Sequence, residues 1–319
     1  MKQEHFDKAA AMIWRENMKK RILALIFSLT LAVSMVSGCG SDSSDNASAS
    51  GEAASSEAGT SDSESNDDSS DVSNVSVDEQ VLYDENDIKI TATGLEEGWL
   101  GTDMKLTIEN NTDKDITVQN EWSSVNGYMV STTMSVDVAA GKKANDTLTF
   151  DSSSLEECGI EQIATMEIVF SIIDADSWDD IAKSDVITVN TSVNDGYEQA
   201  YDDSGDVIVD QDGIKIVSKG VSTDDSIWGP GVVLYVENNS DKNITIQTRD
   251  VSINGYMVDA SMSEDVVAGK KAMTAVQFFD SDLEDNGIED ITDAELSFDV
   301  FDMDSWDDIF ETDAISLTF

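Results

Sequence analysis

Two copies of one long pattern occupy most of this 319-residue chain, and that duplication constrains the fold more than any other feature. Asn110-Asn111 returns as Asn238-Asn239, 128 positions later. The same spacing carries Val125-Asn126-Gly127-Tyr128-Met129-Val130 onto Ile253-Asn254-Gly255-Tyr256-Met257-Val258, and Ala140-Gly141-Lys142-Lys143-Ala144 onto Ala268-Gly269-Lys270-Lys271-Ala272. It also carries Asp176-Ser177-Trp178-Asp179-Asp180-Ile181 onto residues 304–309. Upstream, Ile88-Lys89-Ile90 pairs with Ile214-Lys215-Ile216 at a spacing of 126, which places two extra residues in the second copy near Trp228-Gly229-Pro230. A period this long with two copies means duplicated domains and not a solenoid. We set repeat 1 at 77–192, a linker at 193–206 and repeat 2 at 207–319; Gly196 and Gly205 among the acids from Ser192 to Asp206 suggest a short mobile joint between the copies.

Each copy reads as all-β. Met104, Leu106 and Ile108 alternate with Lys105, Thr107 and Glu109, and Val232, Leu234 and Val236 keep the phase. Met166, Ile168, Phe170 and Ile172 repeat the alternation, as do Ala294, Leu296, Phe298 and Val300, and then Ile187 with Val189 or Ile315 with Leu317. Period two with one apolar face marks half-buried antiparallel strands. Asn126-Gly127 and Asn254-Gly255 mark tight hairpins, because both turn positions want positive φ; Gly141 and Gly269 mark further turns. A helical turn is expected at Ser154-Leu155-Glu156-Glu157-Cys158, closed by Gly159, with a twin closed by Gly287. A second is expected from Ser177 or Ser305, where Asp180 or Asp308 completes a capping-box spacing. Seven or eight strands per copy at this turn spacing predict two tandem antiparallel immunoglobulin-like β-sandwiches.

The pattern resembles a recurrent group of bacterial lipoprotein domains of unknown function with an immunoglobulin-like, telokin-like sandwich. The residues carrying the likeness are Gly213-Ile214-Lys215-Ile216, then Val236-Glu237-Asn238-Asn239-Ser240-Asp241-Lys242-Asn243-Ile244, then Asn254-Gly255 and Gly269-Lys270. Repeat 1 matches through residues 108–116, with Asp87 in place of the opening glycine. The resemblance implies a fold and a surface location; no catalytic residues come with it.

Ahead of the repeats, Met18-Lys19-Lys20-Arg21 gives a basic start and 22–35 is uncharged, about the length of a signal-peptide apolar core. Val36-Ser37-Gly38-Cys39 follows. This segment resembles the lipobox of bacterial lipoproteins, which implies cleavage between Gly38 and Cys39 and an acyl chain such as palmitate on the Cys39 thiol. The first seventeen residues include Glu4, Asp7 and Glu16, which do not suit a basic leader, so Met18 is the expected initiator. From Gly40 to about Ser76 there is no aromatic and no basic residue. Such a stretch cannot offset ordering entropy by burial and is expected to be a disordered acidic stalk spanning about 30–35 Å root-mean-square. The organisation read from the sequence is therefore a signal peptide over 1–38, lipidated Cys39 and stalk over 39–76, and the two repeats, lipid-anchored on the extracytoplasmic face of the cell membrane.

Composition then excludes several chemistries. Removing six basic and three acidic leader residues from totals of 18 and 66 leaves 12 and 63, a formal charge of −51. That surface repels nucleic acid and anionic head groups and attracts divalent cations weakly. The single histidine, His5, lies in the leader. Histidine-based nucleophile systems and histidine-ligated zinc are thereby excluded from the mature chain. Of the two cysteines, Cys39 is assigned to the lipid, so Cys158 is expected to be a buried, inert thiol; its counterpart is Asn286.

Four further features bear on function. Asp174, Asp176 and Asp180, repeated as Asp302, Asp304 and Asp308, suggest a weak calcium site, but the sixth-place glycine and twelfth-place glutamate of an EF-hand loop are missing. A capped turn with its tryptophan under a sandwich edge and its aspartates in water is the expectation. Gly141-Lys142-Lys143 is too sparse for a phosphate loop and is expected to relieve acidic repulsion in a hairpin. Trp99, Trp122 and Trp228 near loops are candidates for a carbohydrate- or peptide-binding platform, although core or edge packing is the expected fate of such residues, and Trp122 faces Asp250 in the alignment of the copies. Paired carboxylates are abundant, yet small sandwiches offer no deep cleft, so no enzyme and no cofactor is expected. The function expected is non-catalytic binding of an extracytoplasmic protein or envelope component. The alternatives are a structural envelope spacer or, third, a solute-binding lipoprotein.

Overall fold

A computed structural model describes residues 75–222 and 230–319. The leader, Cys39, most of the acidic stretch and Trp228 lie outside the described residues. Repeat 1 runs β1 (Gln80–Glu85), β2 (Ile88–Glu97), β3 (Gly101–Asn110), β4 (Ile116–Val125), β5 (Tyr128–Met129), β6 (Thr132–Thr133), β7 (Ser135–Val138), β8 (Lys142–Asp151), α1 (Ser152–Glu157), β9 (Thr165–Asp174), β10 (Asp180–Lys183) and β11 (Ile187–Asn190). Repeat 2 runs β12 (Asp206–Gln211), β13 (Ile214–Ser222), β14 (Gly231–Asn238), β15 (Ile244–Ile253), β16 (Tyr256–Met257), β17 (Ala260–Ser261), β18 (Ser263–Val266), β19 (Lys271–Phe278), α2 (Asp280–Asp285), β20 (Asp293–Asp302), β21 (Asp308–Glu311) and β22 (Ile315–Thr318). The fold is all-β, as the alternation predicts.

Within repeat 1 one sheet orders β1-β2-β3-β8-β6, and the other orders β10-β9-β4-β5 with β7 on β4 and β11 on β9. Repeat 2 repeats this plan with β12-β13-β14-β19, carrying β17, against β16-β15-β20-β21, carrying β18 and β22. The strand count exceeds the seven or eight expected, because the stretches after the Asn-Gly hairpins and after the acidic turns break into segments of two to four residues.

The inward positions of the alternating strands make the core. In repeat 1 Ile88, Ile90, Met104, Leu106, Ile108, Leu148 and Phe150 close on Val118, Met166, Ile168, Phe170 and Ile172. In repeat 2 Ile214, Ile216, Val232, Leu234, Val236 and Val276 close on Ile244, Ile246, Leu296, Phe298 and Val300. Removing these faces from water is the dominant favourable contribution.

The first asparagine of each Asn-Asn pair is fully buried. Asn110 Nδ2 donates to the carbonyls of Lys114 and Val138, each at 2.8 Å, while its Oδ1 accepts from the Thr112 amide and hydroxyl. Asn238 makes the same four bonds with Lys242, Val266 and Ser240. A buried amide is tolerated because every one of these bonds is made. Asp87, standing where repeat 2 has Gly213, takes the same left-handed backbone, with φ 58° against 81°.

Candidate functional site

In both acidic turns the leading aspartate is taken up by backbone amides and a lysine. Asp174 Oδ1 accepts from the amides of Asp176 (3.1 Å) and Ser177 (3.0 Å), and its Oδ2 pairs with Lys114 Nζ at 2.7 Å. The lysine and the turn amides hold the Asp174 carboxyl down to about 2. Asp302 repeats this with the amides of Asp304 and Ser305 and with Lys242 at 3.4 Å. Asp180 and Asp308 are the exposed first residues of β10 and β21. Among the described residues no three acidic or sulfur side chains converge as a metal cluster.

These turns also correct two expectations. No helix starts at Ser177 or Ser305, because Asp174 and Asp302 already capture the free amides and Trp178 and Trp306 take positive φ of 63° and 62°. The tryptophans are half exposed where edge packing was expected, and Asp174 is buried, whereas Asp176, Asp179, Asp180, Asp304, Asp307 and Asp308 face water as expected. Trp306 lies stacked on Phe301 with ring centroids 5.4 Å apart.

The candidate aromatics separate. Trp99 is 94% exposed beside half-exposed Leu100 at the β2–β3 turn. Trp122 sits at the bulge of β4, half-buried, with no ring–ring contact among the described residues. One concave region is bounded by polar side chains, Ser76, Asp78, Gln80, Thr188 and Asn190.

The densest chemistry lies at a seam between the repeats that the sequence reading did not anticipate. The hairpin tip of repeat 1 docks on the outer face of repeat 2. Tyr128 is 2% exposed and meets Tyr235 edge-on, with centroids 6.4 Å apart, and Tyr201 at 5.3 Å. Val217, Tyr235 and Met273 stand side by side on β13, β14 and β19 and join the apolar cluster of repeat 1. The Lys271 amide donates to the Gly127 carbonyl at 3.0 Å, and one parallel bridge between β5 and β19 merges two sheets into one of eleven strands. Lys270 pairs with Glu167 of repeat 1, and the Lys271 ammonium lies 4.2 Å over the Tyr201 ring. The Gly-Lys-Lys turn of repeat 2 is therefore a latch as well as a relief of repulsion.

The linker, expected to be a mobile joint, is laid against both repeats. The Tyr201 hydroxyl donates to the Asn126 carbonyl at 2.8 Å, and Gln199 links Asn126 Nδ2 (3.0 Å) to the Gly159 carbonyl (3.2 Å). Lys215 and Lys219 hold Asp203 and Asp202, each at 2.8 Å, and keep both carboxyls below the usual range.

Cys158, Glu157 and Glu264 also border the seam. Cys158, the residue after α1, is buried, and burial pushes its thiol up to about 12. Glu157 and Glu264 are half-buried; desolvation, with the charges of Asp151, Glu156 and Glu264 at Glu157 and of Asp265 at Glu264, raises both carboxyls to about 7. The Thr274 hydroxyl opposes the shift at Glu264. One sequence signal marks this face: Tyr235 and Met273 break the apolar–polar alternation that Thr107 and Asn145 keep in repeat 1.

No family model matches the chain, and no curated protein matches it significantly. Among solved structures, the YadV chaperone is 13% identical over 72% of this chain and 100% of that one, with a TM-score of 0.23. The Salmonella enterica SafA pilin in complex with the SafB chaperone is 8% identical over 68% and 89%, with a TM-score of 0.19. The Amycolatopsis orientalis exo-chitosanase CsxA is 13% identical over 76% of this chain but 26% of its own, with a TM-score of 0.21. Scores this low transfer neither an activity nor a partner.

Proposed function

We propose that this chain is a lipid-anchored extracytoplasmic protein that binds a protein or envelope component without catalysis. The observation that carries the binding reading is the exposure of large apolar side chains at turns held by well-packed sandwiches. Trp99 with Leu100 in repeat 1 and Tyr256 with Met257 in repeat 2 are its main instances. Exposed aromatic and methionine side chains on a firm support are what interface anchors consist of. A mature chain without histidine and with its one internal thiol buried suits recognition better than acid–base or nucleophilic chemistry. The anchor rests on the ordered basic, apolar and small residues that precede Cys39.

Two experiments test this. Metabolic labelling with an alkynyl fatty acid should mark the full chain and not its Cys39→Ser variant; equal labelling of both refutes the anchor. The acyl-free chain should retain an envelope component that Trp99→Ser or Tyr256→Ser releases; retention indifferent to both variants refutes binding through these turns. The spacer reading is favoured by one observation, the eleven-stranded sheet that ties both repeats into one body, and predicts no retention at all.

A further inference from the structure

The two copies of the Asn-Gly-Tyr-Met hairpin have the same sequence and the same shape, yet one is docked and one is bare. Asn126 and Gly127 take φ of 49° and 89°, and Asn254 and Gly255 take 50° and 82°. Each asparagine is fixed the same way. Asn126 Nδ2 donates to the Gln162 carbonyl and its Oδ1 accepts from the Ala164 and Thr165 amides. Asn254 does so with Asp290, Thr292 and Asp293. Both tips are preorganised, so little ordering entropy opposes docking.

Their surroundings differ. Tyr128 is 2% exposed, whereas Tyr256 is 50% and Met257 67% exposed. A side chain added at Gly127 would meet the Tyr201 hydroxyl at 2.7 Å, while nothing lies within 4 Å at Gly255. Glu167 is latched by Lys270; its counterpart Glu295 is exposed and makes no ion pair among the described residues, accepting only a long bond from Ser316.

We infer that the tip of repeat 2 is a docking plug for a β-sandwich domain of another protein whose outer sheet face presents an apolar ladder beside a lysine-bearing edge. The chemistry of that partner is read from the receptor inside this chain. There the ladder is Val217, Tyr235 and Met273, the lysine that meets the glutamate is Lys270, and an edge amide from Lys271 fills the turn carbonyl. A basic edge also suits a chain with a formal charge of −48.

A second copy does not fit. On the matching face of repeat 1, the same register places Thr91, Thr107 and Asn145, with Thr107 bonded to Asn145 at 2.9 Å. Repeat 1 thus ends the stack with a polar face, as terminal repeats do. Outward positions without a partner have become polar there, whereas the bare tip of repeat 2 carries tyrosine and methionine. The inference rests on the binding reading above but is tested without any envelope material.

The test builds the missing receptor into the purified full chain. Thr91→Val/Thr107→Tyr/Asn145→Met gives repeat 1 the ladder of repeat 2; head-to-tail contact then creates open chains. Sedimentation should show one chain mass for the native protein and at least a doubling of weight-average mass for the triple variant at high concentration. Adding Tyr256→Ser/Met257→Ser should restore one chain mass. A second variant, Tyr128→Ser/Met129→Ser, vacates the native receptor and should likewise self-associate through Tyr256. Folding is checked by circular dichroism. Folded variants that stay at one chain mass, or association that survives loss of Tyr256 and Met257, overturn the inference. So does native protein that self-associates through the tip, because the partner is then a second copy.

Discussion

Tyr128 of repeat 1 and Tyr235 of repeat 2 meet edge to face across the seam, 6.4 Å between ring centroids, and both are almost wholly buried. The counterpart of Tyr128, Tyr256, is half exposed. One motif thus gives opposite mutational outcomes. Tyr128→Ala should destabilise the chain by about 3 kcal/mol through lost burial and the cavity left behind. Tyr256→Ala should change stability by less than about 0.5 kcal/mol, as exposed substitutions do. Denaturant titration of both variants measures the difference.

The carboxyls at the seam set a pH dependence. Glu157 and Glu264 keep their protons to about 7 in the folded chain, against an ordinary value of 4.5. Between those values the folded state binds more protons than the unfolded state, so stability falls as pH rises through that window and levels off above it. Glu264→Gln should remove part of this slope. It should raise stability at pH 8 by about 1 kcal/mol, allowing for solvent screening, and leave it unchanged near pH 4. Melting curves across pH for the two proteins check this.

The acidic turns have the opposite sign. Lys114 and the turn amides hold the Asp174 carboxyl down to about 2. Its contribution is present above the ordinary carboxylate value and is lost as pH falls towards 2. Asp174→Ala should lower the melting temperature at neutral pH, while Asp176→Ala should not. Calcium should leave the native melting temperature unmoved, since the first carboxylate of each turn is occupied by a lysine and backbone amides.

Cys158 reports on the seam. It is buried, its thiol is pushed up to about 12, and its sulfur lies 3.9 Å from the Met129 carbonyl of the docked tip. A thiol so protonated and enclosed reacts slowly. Thiol-directed reagents should label it only as the seam opens, and Tyr235→Ser should accelerate labelling at least tenfold while most backbone structure remains.

The strands were legible because Met104, Leu106, Ile108 and their equivalents keep strict alternation, and the short helices because Gly159 and Gly287 close them at φ 62° and 66°. The hairpins were legible from Asn-Gly. The turn at Ser177 was misread because a capping-box spacing does not reveal that Asp174, three residues earlier, takes the same amides first. The seam was hidden for a different reason. Tyr128 and Tyr256 have identical local sequence, so their fates are decided by Val217, Tyr235 and Met273, residues far away in sequence and visible only as a broken alternation in one copy. The linker resembled a mobile joint because it is rich in acids and glycines, and its anchors, Gln199, Tyr201, Asp202 and Asp203, take their partners from residues distant in sequence.

The central claim is that docking of the repeat 1 tip makes two sandwiches one cooperative body. Scanning calorimetry of the full chain tests it most directly. The account predicts a single unfolding transition for the native protein, resolved into two by Tyr235→Ser. Two separate transitions in the native protein would contradict it.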